Sequence, residues 1–269
     1  MSRDFPRNPL EKEGFRLIFN DDFNQSELDL TKWLPFYLPQ WSSRERSKAN
    51  YRIENSELKL LITENQQPWC PELNGEIKVS NLQTGVYSGP RGSKLGQHRF
   101  SEHCTVNEEQ APEHLFIPQY GYFEIRVKGL ATAENVCAFW MIGFEDHPER
   151  SAEICPFELK GWNVKEKTCI LGYGLRAFSD PLIQDEFFER EFEYDPTDYH
   201  IYGFEWSKKG VSFFLDNQLI HHSSQSPSYP MQMMLNIYEI PQKNSDGKKE
   251  KHYPYEFSVD YVRGYQRIE

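Results

Sequence analysis

The chain has 269 residues, of which 38% are hydrophobic and 15% aromatic, and its formal net charge is −11. This length suits one large β domain, and the aromatic content favours strands. The negative charge disfavours nucleic acid as a partner, and no apolar run approaches the ~20 residues that a membrane-spanning helix needs. We therefore expect a monomeric β protein with a neutral partner and no contact with nucleic acid or membrane.

The N-terminal segment, residues 1–14, is polar and is predicted to be a loose arm ahead of a single domain over residues 15–269. It lacks the apolar core of a secretory signal, so the sequence as it stands predicts a cytoplasmic protein, and an extracellular one if a leader was removed. The five cysteines are odd in number and form no C-x-x-C pair, which is typical of reduced thiols and does not predict a zinc site.

Strand patterns recur along the chain and predict two antiparallel sheets packed face to face. "YRIENSELKLLI" is predicted to be a hairpin, "YGYFEIRVKGL" alternates cleanly, and "VCAFWMIGF" is apolar throughout, as expected of a strand covered on both faces. "HIYGFEW", "VSFFLDNQLIHH", "MQMMLNIYEI" and "YEFSVDYVRGYQRI" supply the later strands. Two stretches, 65–118 and 176–198, show no clear strand pattern, and we expect long loops there.

One strand carries two carboxylates at an unusual spacing. In "EICPFE", strict alternation would place Glu158 on the buried face of Ile154, and an unpaired carboxylate is costly to bury. A β-bulge at Pro156-Phe157 would reset the alternation and return Glu158 to the face of Glu153, and proline is tolerated at bulges. The sequence therefore predicts both carboxylates on one exposed face.

Two carboxylates on one sheet face are what retaining glycoside hydrolysis requires. One ionised carboxylate attacks the anomeric carbon, and the other donates a proton to the leaving oxygen. The competing interpretation is that Glu153 and Glu158 are two solvated surface glutamates.

Several segments resemble glycoside hydrolase family 16, in the family's order. "AFWMIG" followed by "EICPFE" is similar to the family's bulged active-site strand, E-[I]-D-x-x-E. "LIFNDDFNQSELDLTKW", "NLQTGVYSG", "YGYFEIRVKG" and "DYHIYGFEWSKKGVSFFLDNQLIHH" resemble other strands of the family. The resemblance spans roughly residues 15–266.

The resemblance implies an all-β, concanavalin A-like jelly-roll sandwich with a sugar cleft across one sheet. It implies a retaining endo-glycoside hydrolase or transglycosylase that acts on a β-linked polysaccharide or oligosaccharide, such as a β-glucan. By position, Glu153 would be the nucleophile and Glu158 the general acid/base, and no cofactor is required for this chemistry. The alternative is a lectin-like binding protein on the same fold that has lost catalysis.

Cys155 departs from the family, which has Asp between the glutamates. A thiol with a reference pKa of ~8.5 is mostly neutral at pH 7, so the site lacks that negative charge. Three interpretations remain open: an active site with altered tuning, a protein that only binds, or a nucleophilic Cys155. The last has the least support, because no histidine lies nearby in the sequence.

Aromatic and polar side chains are candidates for sugar binding, because rings stack on the CH faces of sugars and polar groups read hydroxyls. The candidates are Trp140 beside Glu153, the loop residues Trp41 and Trp69, Trp162 after Glu158, and Asn236 and Tyr238 on the cleft face of "MQMMLNIYEI". The resemblance further implies a structural calcium ion bound partly by Asp260 in "SVDYVRGYQ".

Overall fold

A computed structural model describes residues 4–241 and 251–268 of the chain. Its sixteen strands are β1 Phe15–Asp21, β2 Asn50–Glu54, β3 Glu57–Ile62, β4 Lys78–Gln83, β5 Gly85–Val86, β6 Glu113–His114, β7 Gly121–Lys128, β8 Asn135–Gly143, β9 Glu153–Val164, β10 Cys169–Arg176, β11 Glu186–Phe192, β12 His200–Ser207, β13 Gly210–Leu215, β14 Gln218–Ser223, β15 Met231–Glu239 and β16 Tyr255–Arg267. The helical segments are a short 3-10 turn, Pro39–Trp41, and α1, Pro71–Asn74.

The strands form two large antiparallel sheets, which confirms the predicted sandwich. The cleft sheet has the order β11-β10-β9-β8-β15-β4. The outer sheet has the order β14-β13-β12-β7-β16-β3-β2, and β1 also pairs with β16. The two-residue strands β5 and β6 pair only with each other.

The hydrophobic core lies between the two sheets and follows from the alternation of each strand. Phe157 of the cleft sheet stacks on Phe257 of the outer sheet, with ring centroids 5.9 Å apart. Phe123 and Phe204, on adjacent outer strands, stack at 5.1 Å. Every residue of β8 is buried, which confirms that this continuously apolar strand is covered on both faces.

Three expectations about the connecting segments were wrong. The stretch 65–118 contains β4, which pairs with β15, and the stretch 176–198 contains β11 at the edge of the cleft sheet. Charged and amide side chains obscure the alternation of these two strands.

The N-terminal arm is not loose where the structure describes it, from residue 4 onward. Its backbone binds the outer sheet, and Arg126 donates to the Phe5 carbonyl.

Within the described residues, no helix is long and apolar enough to cross a membrane.

Candidate active site

The middle of the cleft sheet contains a β-bulge on β9. Towards β10, Pro156 and Phe157 together face the single residue Tyr173, as predicted. Towards β8, the pair that faces one residue is Cys155 and Pro156, opposite Trp140. Pro156 is therefore the inserted residue on both sides. Proline suits this position because it has no backbone N–H to contribute to a ladder.

The bulge sends the two glutamates to the same side of the cleft sheet. Ile154 and Phe157 lie in the core between the sheets, three residues apart rather than two. Glu153 and Glu158 both line a cavity of 250 Å³ on the opposite face. The Glu153 side chain is 5% exposed and that of Glu158 is 16% exposed, so neither is an ordinary solvated surface carboxylate.

Arg176 connects the two carboxylates. Its Nη1 lies 3.1 Å from Glu153 Oε1 and 3.4 Å from Glu158 Oε2, so the two oxygens are within two hydrogen-bond lengths of each other. The guanidinium carbon lies 3.6 Å from the centroid of the Phe187 ring on β11, which supports it from the edge of the sheet. Lys160 adds a second positive charge at a longer distance, with Nζ 3.9 Å from Glu158 Oε1.

The pKa of Glu153 is raised from 4.5 to about 7: burial raises it most, the positive charge of Arg176 lowers it, and the negative charge of Glu158 raises it. Glu153 therefore keeps its proton close to neutral pH in the empty cleft. It has to lose that proton before it can act as a nucleophile, and Arg176 is the neighbour that favours this ionisation.

Cys155 lies on the cleft side between the glutamates. Its side chain is buried, and its Sγ contacts the Phe139 carbonyl oxygen at 3.7 Å. Burial, together with the nearby Glu153 and Glu158, raises the pKa of this thiol well above its ordinary value. The thiol is therefore neutral at pH 7, and this environment does not generate a nucleophilic thiolate.

The remaining wall of the cleft comes from aromatic side chains. Trp140, Tyr238, His98 and Phe178 line the same cavity as the glutamates. The His98 ring lies 5.2 Å from the Trp140 ring in an edge-on arrangement. Burial, and secondarily the charge of Arg176, lowers the pKa of His98 to about 4, so its imidazole is neutral at pH 7.

Trp41 and Trp69 do not line the cleft as predicted. They are 2% and 1% exposed, in a second hydrophobic cluster under the loops that flank the cleft. Each indole N–H has an internal partner: Trp41 Nε1 donates to the Gln97 carbonyl at 2.9 Å, and Trp69 Nε1 donates to Asn74 Oδ1 at 2.8 Å. Their role is to pack and hold the loops, so no ring face is available to a sugar.

Asn236 and Trp162 also lie outside the wall of the cleft. Asn236 is fully buried, and its Nδ2 donates to the Tyr238 hydroxyl at 2.8 Å. That hydroxyl in turn donates to the Tyr37 hydroxyl at 3.0 Å, so Asn236 orients Tyr238 from behind. Trp162 is 40% exposed further along β9 and does not line the cavity around the glutamates.

The groups around Asp260 do not fit the calcium ion implied by the resemblance. Asp260 Oδ2 accepts a hydrogen bond from Arg126 Nη1 at 2.7 Å and lies 3.0 Å from Arg7 Nε. Two guanidinium groups therefore stand where a cation would bind. Within the described residues, no group of three or more His, Cys, Asp or Glu side chains is arranged to hold a metal ion.

Sequence reasoning missed Arg176 and His98 as cleft residues. Arg176 ends β10 directly opposite Glu153, but its position depends on the register between β9 and β10, which includes two bulges that the sequence pattern does not fix. His98 lies in the long stretch that shows no strand pattern. The sequence offered one weak signal. Arg176 is basic, His98 is aromatic, and both lie in the stretches that show no clear strand pattern.

A sandwich of this kind, with two carboxylates and an arginine in the cleft of one sheet, defines a glycoside hydrolase-like protein. The chain belongs to glycosyl hydrolases family 16, whose model matches residues 115–262. This confirms the resemblance noted in the sequence. A search of curated protein sequences finds no match.

Among solved structures, the chain is similar to the GlcNAcα1-4Gal releasing endo-β-galactosidase from Clostridium perfringens, with 33% identity and a TM-score of 0.84. The match covers 99% of this chain and 66% of that one, so this chain spans just under two thirds of that enzyme's length.

Two laminarinases share the fold. The catalytic domain from Thermotoga petrophila RKU-1 has 17% identity and a TM-score of 0.61, over 95% of this chain and 99% of that one. The enzyme from Flavobacterium sp. UMI-01 has 21% identity and a TM-score of 0.61, over 93% of this chain and 100% of that one.

Proposed function

We propose that the chain is a retaining, endo-acting glycoside hydrolase. Glu153 acts as the nucleophile and Glu158 as the general acid/base. The observation that carries this proposal is the arginine that bridges the two carboxylates across the bulge. Retaining enzymes hold their carboxyl groups about 5–5.5 Å apart, and contact of both carboxylates with a common nitrogen favours this close spacing over the wider spacing of inverting enzymes.

The reaction proceeds in two displacements. Glu153 attacks the anomeric carbon while the bond to the leaving sugar breaks, and Glu158 transfers its proton to the leaving oxygen. Glu158 then removes a proton from water, which attacks the same carbon and releases Glu153. Arg176 favours the ionised form of Glu153, because it is the neighbour that lowers the pKa of that carboxyl.

The substrate is a β-galactosidic linkage within a neutral oligosaccharide. The Clostridium perfringens relative supports this choice, since it is an endo-β-galactosidase and shares 33% identity with the chain. The laminarinases, at 17% and 21% identity, indicate the fold but do not argue for a β-glucan. Trp140 supplies an aromatic surface in the cleft, and neutral His98 and the Tyr238 hydroxyl supply hydrogen-bonding groups.

The test compares wild type with Glu153→Gln and Glu158→Gln on β-galactosyl oligosaccharides and β-glucans, with released reducing ends as the readout. We expect both variants to lose at least about 10³-fold in rate, whereas Glu149→Gln, at an exposed position, keeps wild-type activity. Wild-type activity in either cleft variant contradicts the proposal.

Azide rescue assigns the roles of the two glutamates. With an activated substrate, Glu153→Gly in azide should yield the α-glycosyl azide, and Glu158→Ala should yield the β-glycosyl azide. Proton NMR of the anomeric centre distinguishes the two products, and the reversed pattern would reverse the assignment.

A binding function is the second candidate, because Cys155 leaves the site without the negative charge that the family places there. Under this alternative, wild type and Glu153→Gln both bind β-galactosyl oligosaccharides, and neither releases reducing ends.

A further inference from the structure

Glu145 is a buried carboxyl group that the proposed reaction does not use. It lies just beyond the end of β8, it is 6% exposed, and it does not line the cleft that holds the two glutamates. Among the described residues, its carboxyl has one hydrogen bond, which the backbone N–H of His98 donates to Oε1 at 2.6 Å. Burial raises the pKa of Glu145 well above its ordinary value, so the protonated form is favoured. A buried carboxyl with a single partner is costly to the fold, which indicates a role beyond stability.

The chain that leads into Glu145 is fixed to the neighbouring structure. The preceding residue, Phe144, is buried, and its backbone N–H donates to the Pro230 carbonyl at 3.0 Å. The Phe144 ring packs on the ring of His114, with centroids 4.3 Å apart. The carboxyl of Glu145 therefore reaches His98 from a firmly held strand end.

His98 has a backbone conformation that requires support. Its φ angle is 48°, in the left-handed region that residues with side chains rarely adopt, and they keep it only where their surroundings hold them there. The peptide unit that joins Gln97 to His98 is held at both ends. Its carbonyl accepts hydrogen bonds from Trp41 Nε1 and Gln40 Nε2 at 2.9 Å. Its N–H donates to Glu145, so the loss of this one bond frees one end of the unit.

This backbone conformation directs the His98 ring into the cleft. The ring lines the same cavity as Glu153 and Glu158. Its centroid lies 5.2 Å from that of Trp140 and 4.8 Å from that of Phe178, both in edge-on arrangements, so the ring has little freedom to turn. Among the residues that the structure describes, neither ring nitrogen of His98 has a hydrogen-bond partner. Both nitrogens are therefore available to a ligand in the cleft, one as a donor and one as an acceptor.

We infer that Glu145 is a positioning residue. It does not touch the substrate, and through the His98 N–H it holds the imidazole where that ring can hydrogen-bond a ligand in the cleft. Without the carboxyl, the left-handed conformation of His98 loses one of its supports, and we expect the backbone to relax and to turn the ring away from the ligand. This inference rests on the proposed function, because the partner of the imidazole is the β-galactoside that the cleft takes.

The experiment measures kcat and KM on the β-galactosyl oligosaccharide that wild type hydrolyses fastest. Glu145→Leu removes the acceptor at similar size, and we expect KM to rise about five- to tenfold, in line with one lost hydrogen bond, with kcat changed by less than about twofold. His98→Ala should raise KM to the same extent. Glu145→Gln keeps an acceptor oxygen and should recover most of the wild-type affinity. Glu149→Leu is the matched control, because Glu149 is exposed in the same connection between β8 and β9, and it should keep the wild-type KM.

The double variant that combines His98→Ala with Glu145→Leu separates positioning from a general structural role. With no ring left to position, the Leu substitution should add nothing, so the double variant should have the KM of His98→Ala. Effects that multiply overturn the inference, and so does an unchanged KM in Glu145→Leu or a Gln variant that binds as weakly as the Leu variant. Circular dichroism checks folding, and Glu145→Ala replaces Glu145→Leu if that variant is unfolded.

Calorimetric titration of Glu153→Gln with the trisaccharide β1-4-galactotriose separates this inference from the proposed function. If wild type hydrolyses no substrate, the proposed function fails. The positioning role is then supported by trisaccharide binding that adding His98→Ala and adding Glu145→Leu weaken equally. It is rejected if the trisaccharide does not bind, or if it binds as tightly with Glu145→Leu as without it.

Discussion

Arg176 and Glu153 are directly opposite partners on β10 and β9, and their side chains meet at 3.1 Å. The same guanidinium nitrogen lies 3.4 Å from Glu158. Cys155 is neutral at the position where the family pattern has an anion, so the charge of Arg176 acts on the two glutamates alone. The protonation of Glu153 depends on this balance, and the pH dependence of the protein should report it.

Replacing Arg176 should move the pH profile upward. Arg176 lowers the pKa of Glu153, so its loss lets Glu153 keep its proton to higher pH. We expect the acid limb of the pH–rate profile of Arg176→Gln, which follows ionisation of the nucleophile, to shift to higher pH, with kcat reduced about 10–100-fold because the carboxylates lose a common hydrogen-bond partner. Arg176→Lys keeps the charge and should shift this limb less. Identical profiles for wild type and Arg176→Gln would show that the arginine does not control the ionisation of Glu153.

Replacing Cys155 with Asp should extend activity toward higher pH. A third carboxylate beside the pair favours retention of the proton on the acid, so the upper limb of the profile moves up. Cys155→Asn has nearly the shape of the Asp variant without the charge, and it should leave the upper limb where it is. If the Asp variant has an unchanged upper limb, the missing negative charge does not set the pH limit.

Neutralising Glu153 should stabilise the protein above neutral pH. Its pKa is raised to about 7 in the folded state from 4.5, so wild-type stability falls as pH rises through this interval. We expect Glu153→Gln to increase the free energy of unfolding by about 1–3 kcal/mol at pH 8, with a smaller gain at pH 5. Urea unfolding at the two pH values measures this, and Glu149→Gln is the control. A gain that is equal at both pH values would argue against the raised pKa.

Trp140 and Trp41 should differ in role: Trp140 binds the substrate, and Trp41 packs beneath the loops. Trp140 lines the cleft, so Trp140→Phe should raise KM several-fold with little change in Tm. Trp41 is buried under the loops, so Trp41→Ala should lower the free energy of unfolding by about 3–5 kcal/mol. Thermal unfolding and steady-state kinetics on both variants check this, and the reverse pattern would contradict the burial.

Stability should not depend on calcium at Asp260. Arg126 and Arg7 already neutralise this carboxylate, so a chelator should leave Tm unchanged. Asp260→Asn breaks a buried ion pair and should destabilise the fold by about 3 kcal/mol or more. A chelator-induced fall in Tm that added calcium reverses, and that disappears in Asp260→Asn, would restore the calcium site.

The bulge on β9 was predictable because it follows from local geometry. Alternation with a period of two residues, the cost of a buried carboxylate and the missing N–H of Pro156 all act within six residues of sequence. The sandwich was predictable for a similar reason, since the alternation of each strand indicates which face is buried. The irregular segments were less predictable, because β4 and β11 carry polar residues that only their pairing with β15 and β10 places in the sheet.

By itself, the sequence determined the fold class and the common face of Glu153 and Glu158, because both depend on interactions between near neighbours in the chain. Only the tertiary structure decided which groups surround that pair. The register of β10 brings Arg176 to it, the loops bury Trp41 and Trp69, and the arm and β7 bring Arg7 and Arg126 to Asp260. These contacts join residues far apart in the chain, and their free energy comes from packing and charge in the folded state, which no local pattern encodes.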